Sequence, residues 1–521
     1  MIRRFAVLAF ALLAPATARA DWHEASTDHF VVYSDDSPER LERFATQLER
    51  FDKAIRVLRG LAVEPVGNAN RVTVYVVSGT SSVARLAGDS RVAGFYRPRA
   101  GGSMAVVPRR AGVDALDLSG QAILLHEYTH HLMLSLWPHA AFPSWFIEGY
   151  AEFHATARFE KDGAVSFGLP PQYRGYGLLA GNALPAEKLL TAEGRKLNDE
   201  QRDGLYGRGW LLTHFLTFGG KRPKQLGTYL EAINSGKPPL EAATGTFGDL
   251  RTLDRELERY KIGKFQGRSV RAEAITLGPV KIRKLTPGEA ATMDVRIVSK
   301  NGVNGRTAPG VYAQARKAAA PFPNDPGAQI VLAETAYDAG DYKEAEAAAD
   351  RAIAVDPKAV DAFVYKAMAR MAVAAKAGDQ SKESWSAIRK IIATANRLDP
   401  DDPEPLTLFY RSFAESGQAP TKNARQGLYT AYLLGPQDRE LRLNAAASYL
   451  QEDNRTMARE LLKPLAYDPH NGGMAKAAAD LIAAIDAGKG AEALQLLERK
   501  PADQGDGDAG KDKGKDKDDK K

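Results

Sequence analysis

A chain of 521 residues is several times an ordinary domain, so it should fold as two to four units, each long enough to bury a core of its own. Its 44% hydrophobic and 26% charged residues exclude bulk disorder, and the absence of cysteine excludes disulfide cross-links. The net charge of +6 falls to +3 without Arg3, Arg4 and Arg19 of the first twenty residues, too little to point to nucleic acid.

The opening "MIRRFAVLAFALLAPATARA" carries basic Arg3 and Arg4, an apolar run from Phe5 to Leu13, and small Ala18 and Ala20 at an A-x-A cleavage position. It reads as a secretory signal peptide over 1–20, and the apolar run is too short to span a bilayer. The chain is therefore expected to be exported, to a bacterial periplasm, with no stable membrane anchor. Next, "DHFVVYSDD" and "NRVTVYVVSG" read as strands around the helical "PERLERFATQLERFDKAIRVLRGL". A strand pair follows at "VAGFYRP" and "GSMAVVP", joined by "RAGG". Residues from Ser119 to Phe218 read as mostly helical and amphipathic segments continue to Ile262, so 21–262 form one α+β domain. Residues 263–305, with "SVRAEAITLGPVKIRKL" and "TMDVRIVSKNGV", predict a small β-rich linker.

From 306 to 500 the sequence is alanine-rich and periodic. In "AQIVLAETAYDAGDYKEAEAAADRAIAVDP", Ala333, Tyr337, Gly340, Tyr342, Ala345, Ala348, Ala352 and Pro357 stand where a helix-turn-helix repeat needs small, aromatic and turn residues. The segment resembles the tetratricopeptide-repeat family. Later echoes end at Pro400, Pro436 and Pro469, with an insertion around "AKAGDQSKES". The resemblance implies an all-α solenoid that binds a protein partner, with a spacer or a lid on the first domain as the alternative role. The last segment, 501–521, is dominated by balanced Lys and Asp and is expected to be a disordered tail.

The chemistry concentrates between 119 and 154. "SGQAILLHEYTHHLMLSLW" predicts a buried helix capped by Ser119, on which His126 and His130 stand one turn apart with Glu127 beside them. Two imidazoles and a carboxylate are costly to bury on an apolar helix without a ligand, and HExxH is a zinc pattern for that reason. A catalytic zinc needs a third protein ligand, and "PSWFIEGYAEF", with Ser144 as expected N-cap, can bring Glu148 back alongside, with Gly149 permitting close helix packing.

"HEYTH" followed by "WFIEGYAEF" resembles the gluzincin metallopeptidases, and "STDHFVVYS", the "GFY" strand and "EGYAE" resemble their bacterial peptidase-MA-like branch. The likeness covers 21 to about 220. It implies a zincin-like fold, one Zn²⁺ held by His126, His130 and Glu148, and Glu127 as general base. In the related aminopeptidases a strand glutamate grips the substrate amine; here Ala105 stands in that position, which points to an endopeptidase, with the Gly102–Val107 strand available to pair with an extended peptide. The resemblance also offers Tyr206, with His214 on the same helix, as oxyanion donor, while Glu152 could orient a ligand histidine. His131, His139 and His154 are expected to make polar contacts only. The overall expectation is an α+β zincin-like metallopeptidase domain, a β-rich linker and a repeat solenoid, acting on a peptide or protein substrate. The alternative is a non-catalytic periplasmic scaffold built on the same fold.

Overall fold

The computed structural model describes residues 21–90, 92–109, 119–179, 184–193, 195–470 and 472–498; the expected signal peptide and the Lys/Asp tail lie outside the described residues. In chain order the first part forms β1 (His23–Ser26), β2 (Phe30–Ser34), α1 (Pro38–Arg59), β3 (Val72–Val77), α2 (Thr80–Ala87), β4 (Phe95–Arg97) and β5 (Met104–Pro108). It continues with α3 (Gly120–Leu136), α4 (Ser144–Ala155), β6 (Arg158–Phe159), β7 (Val165–Phe167), α5 (Gly175–Leu179) and α6 (Ala186–Leu190). Then come α7 (Asp199–Phe218), α8 (Gln225–Asn234), α9 (Pro239–Phe247), α10 (Leu250–Lys261), β8 (Arg268–Val270) and β9 (Lys281–Lys284).

Six strands make one sheet in the order β4-β5-β3-β2-β1-β9, in which β2, β3 and β5 run parallel. Alternate side chains on these strands take opposite faces. Phe30, Val32, Val74, Val76, Ala105 and Val107 join the main core with α1 and α3, whereas Val31, Tyr33, Tyr75, Met104 and Val106 pack on Val83 of α2 and on Met293 and Ile297. Near-continuous apolar runs suit strands that are covered on both sides. The second sheet, β6-β7-β8, begins with a hairpin inside the stretch expected to be helical.

Two expectations change here. The Gly102–Val107 strand cannot accept a peptide along its edge, because β5 is hydrogen-bonded on both sides, to β3 and β4; among the described residues β4 is the edge strand on that side of the sheet. Residues 263–305 are not a separate β-rich element either. β8 and β9 join the two sheets of the first unit, and "TMDVRIVSKNGV" lies mainly in a helix, α11 (Pro287–Asn301), with Met293 and Ile297 on its buried face.

The remaining helices are α12 (Ala308–Ala319), α13 (Pro326–Asp338), α14 (Tyr342–Val355), α15 (Val360–Ala377), α16 (Lys382–Leu398), α17 (Pro403–Glu415), α18 (Lys422–Leu434), α19 (Arg439–Gln451), α20 (Arg455–Ala466), α21 (Gly472–Asp486) and α22 (Gly490–Glu498). Successive helices pack as a solenoid of hairpins beginning with α11 and α12, so the array starts before residue 306. Fully buried alanines such as Ala333, Ala348 and Ala352 allow the close helix approach, and Gly340 makes its turn at φ +80°. The insertion lengthens α15 and α16 to 18 and 17 residues.

The array then folds back on the first unit. Gln437 Nε2 donates to Arg99 O at 2.9 Å and Ala100 N donates to Asp438 Oδ2 at 2.9 Å. Pro138 O, just beyond α3, accepts from Arg442 Nη1 at 2.6 Å and from Tyr432 OH at 3.0 Å. No described helix is long and apolar enough to cross a membrane.

Candidate functional site

Ser119 caps α3, its hydroxyl accepting from Ala122 N at 3.0 Å. The faces of α3 away from the site are pinned by Tyr128 OH, which donates to Asp52 Oδ1 at 2.7 Å, and by His131 Nδ1, 2.7 Å from Tyr96 OH. One turn of helix then brings His126 Nε2 and His130 Nε2 to 3.0 Å.

α4 returns alongside α3. Its N-cap is Pro143 and not Ser144, which is the first helical residue; proline has no side-chain acceptor, and Glu193 instead takes both the Ser144 amide, at 3.0 Å, and its hydroxyl, at 3.2 Å. Gly149 allows the close approach, but to α7: a Cβ there would lie 2.3 Å from the backbone of Gly209. α4 and α7 are thereby locked together, and Glu148 turns inward with 1% of its side chain exposed.

Glu148 Oε2 lies 3.3 Å from His126 Nε2 and 3.8 Å from His130 Nε2. His126, His130 and Glu148 thus each offer one ligand atom within 4.8 Å of the others, so these three residues could hold a metal ion. Glu127 and His130 face a cavity of about 310 Å³ between the two parts of the molecule, walled by Phe95, Tyr96 and Met133 on one side and by Arg439, Leu465 and His470 on the other. Burial raises the pKa of the Glu127 carboxyl, although His126 opposes the shift. Burial also disfavours a charged Glu148, but the facing histidines, His470 first, hold its pKa well below the usual carboxylate range.

Tyr206 of α7 is brought to the site, its ring 5.9 Å from that of His126 and beneath the Arg174 guanidinium at 4.3 Å. Burial, then the Glu148 charge, push its hydroxyl well above the ordinary tyrosine pKa. Glu152 Oε1 stands 3.6 Å from His126 Nδ1, beyond hydrogen-bond reach, and accepts from Arg174 Nε at 2.9 Å, while Oε2 accepts from Tyr173 OH at 2.7 Å. His214 is placed elsewhere, between Tyr260 OH at 2.8 Å and Gly168 O at 3.1 Å, so it is no donor here. His154 contacts the Tyr150 carbonyl and His139 lies against Tyr432.

His470, in the loop after α20, was not singled out by the sequence. Its Nε2 stands 3.0 Å from Glu148 Oε1, an ion-pair contact whose angles fall outside a directed hydrogen bond, so neither Glu148 oxygen has a hydrogen-bond partner. Burial lowers the His470 pKa, but Glu148 outweighs it and brings the value up to about 9. In sequence the residue follows a repeat-ending "YDP" and carries no local signal of such a role.

No family model and no curated protein matches the chain. Among solved structures, a thermophilic TPR protein of Thermus thermophilus is similar at 18% identity over 37% of this chain and 97% of its own, with a TM-score of 0.31.

Proposed function

We propose that the chain is an exported, periplasmic zinc-dependent peptidase of gluzincin type, in which His126, His130 and Glu148 hold the ion and Glu127 is the general base. The convergence of three donor atoms within 4.8 Å carries this reading. Around a tetrahedral zinc bound at about 2.0–2.2 Å, ligand atoms lie roughly 3.3–3.6 Å apart. The separations here are 3.0, 3.3 and 3.8 Å, and the buried Glu148 oxygens lack hydrogen bonds, so two imidazoles and a carboxylate fit the ion in geometry and in charge.

Zinc bound there would supply Lewis acidity toward a substrate carbonyl and toward water. Glu127 takes a proton from the attacking water as the water oxygen bonds the carbonyl carbon. It then delivers that proton to the amine nitrogen as the C–N bond breaks, leaving a carboxylic acid and an amine, which ionise to a carboxylate and an ammonium by passing the acid's proton to the amine. The Tyr206 hydroxyl donates toward the carbonyl oxygen. An extended peptide is accommodated along the edge of β4, whose Phe95 and Tyr96 line the cavity. Internal cleavage is supported by Ala105, which offers no carboxylate to a substrate amine and packs in the core. The array is proposed to engage protein partners or substrates.

A non-catalytic scaffold is the second reading, favoured by the cover that the array lays over the cleft. Zinc content and cleavage of a peptide library by wild type, Glu127→Gln and Glu148→Ala separate the two. A peptidase requires that Glu127→Gln keep zinc and lose cleavage while Glu148→Ala loses both. A zinc-loaded wild type that cleaves nothing favours the scaffold, and a wild type without affinity for zinc sinks both.

A further inference from the structure

On the zinc reading of the triad, we propose that His470, contributed by the helical array, is a positioning residue of the metal site that steers the Glu148 carboxylate. The two oxygens of Glu148 are divided between two partners. Oε2 faces the ring nitrogens of His126 and His130, whereas Oε1 faces His470 Nε2 at 3.0 Å. The His470 ring standing against Oε1 leaves Oε2 for the ion and blocks rotation to a bidentate pose, the role that partners behind metal ligands commonly fill. His470 lies outside the set of donor atoms within 4.8 Å of one another, which separates this role from that of a fourth ligand.

The array aims this side chain. The His470 amide donates to Asp468 Oδ1 at 2.9 Å, and Asp468 Oδ2 accepts from Arg439 Nε, at the start of α19, at 2.7 Å. α19 is in turn seated on the first unit through Asp438 and Arg442, which reach Ala100 and Pro138. Core packing does not account for the placement, because 44% of the His470 side chain remains exposed along the cavity wall beside Glu127 and edge-on to His130. The metal site is therefore completed across the junction of the two parts, and its affinity depends on how the array is docked.

The test is zinc affinity, by competition with a chromophoric chelator, together with the visible spectrum of the cobalt-substituted protein. His470→Ala should weaken zinc binding about 10–100-fold with the cobalt spectrum still four-coordinate, and His470→Gln, which keeps an N–H donor, should recover most of the loss. Asp468→Ala touches no ligand and should weaken binding in the same direction. Equal affinity in wild type and His470→Ala overturns the proposal while leaving the zinc reading intact. A changed cobalt coordination in His470→Ala without rescue by Gln overturns it in favour of direct ligation. A wild type that binds no zinc removes the reading beneath it.

Discussion

A Cβ on Gly149 would lie 2.3 Å from the carbonyl of Gly209 and 2.8 Å from Thr213 Oγ1. Backbone cannot yield as a flexible side chain can, so Gly149→Ala must push α4 from α7 and carry Glu148 with it. We expect a loss of about 1–3 kcal/mol or more, seen as a lower melting temperature, with weaker zinc binding in the same variant. A variant that melts like wild type would show that the helices have room to spare. The HExxH spacing and the Glu148–Gly149 pair could be read from sequence because each depends on one helix turn. The bonds of Glu152 to Tyr173 and Arg174 were not legible, since those donors lie on a separate short segment whose position depends on the packing of α5 and α7.

The helix α11 shows how one local signal can mask another. "LTPGEA" contains a capping box: Thr286 Oγ1 accepts from Glu289 N at 3.1 Å, Glu289 Oε2 accepts from Thr286 N at 2.9 Å, and Pro287 opens the helix. The β-branched residues that follow hide that signal in the sequence, yet they serve two helix faces: Ile297, with Met293, covers the sheet, while Val295 and Val298 pack into the array. Thr286→Ala should cost about 1 kcal/mol, lowering the melting temperature by a few degrees. Farther along, Trp385 is fully buried between the two lengthened helices and donates from Nε1 to Asp379 O at 2.6 Å. Trp385→Ala should cost about 3–5 kcal/mol in array stability, measured by denaturant melts. Zinc stoichiometry under folding conditions should be unchanged, because the cluster around Trp385 shares no residue with the site.

At the scale of the whole molecule, the junction of array and first unit has a pH dependence of its own. Glu404 packs on Gly101, next to Asp402 at the start of α17. Burial first, then the Asp402 charge at Glu404 and Asp361 at both, raise the pair from ordinary values of 3.8 and 4.5 to about 7 for Asp402, where the Glu404 amide opposes the rise, and about 8 for Glu404. Asp399 adds to the rise at Asp402 and Glu334 to that at Glu404, while Lys300 opposes both. Between those limits the folded chain binds more protons than the unfolded one, so stability falls as pH rises from near 4 to near 8 and then levels. Glu404→Gln should flatten that fall, read as a smaller difference between melting temperatures at pH 5 and pH 8. An unchanged slope would remove the pair as its source.

The sequence by itself determined what depends on neighbours within a few residues. These are the strands around α1, the two helices that carry the donor triad, and the small-residue hairpins of the array, because helix turns, strand alternation and caps are written in local spacing. The tertiary structure alone decided which strand is an edge, that β8 and β9 close the first unit, and that the array returns to roof the cleft with His470 against Glu148. The last two outcomes rest on contacts between residues far apart in the chain, and all three on the matching of whole surfaces, where no local pattern in one segment encodes the shape of the other.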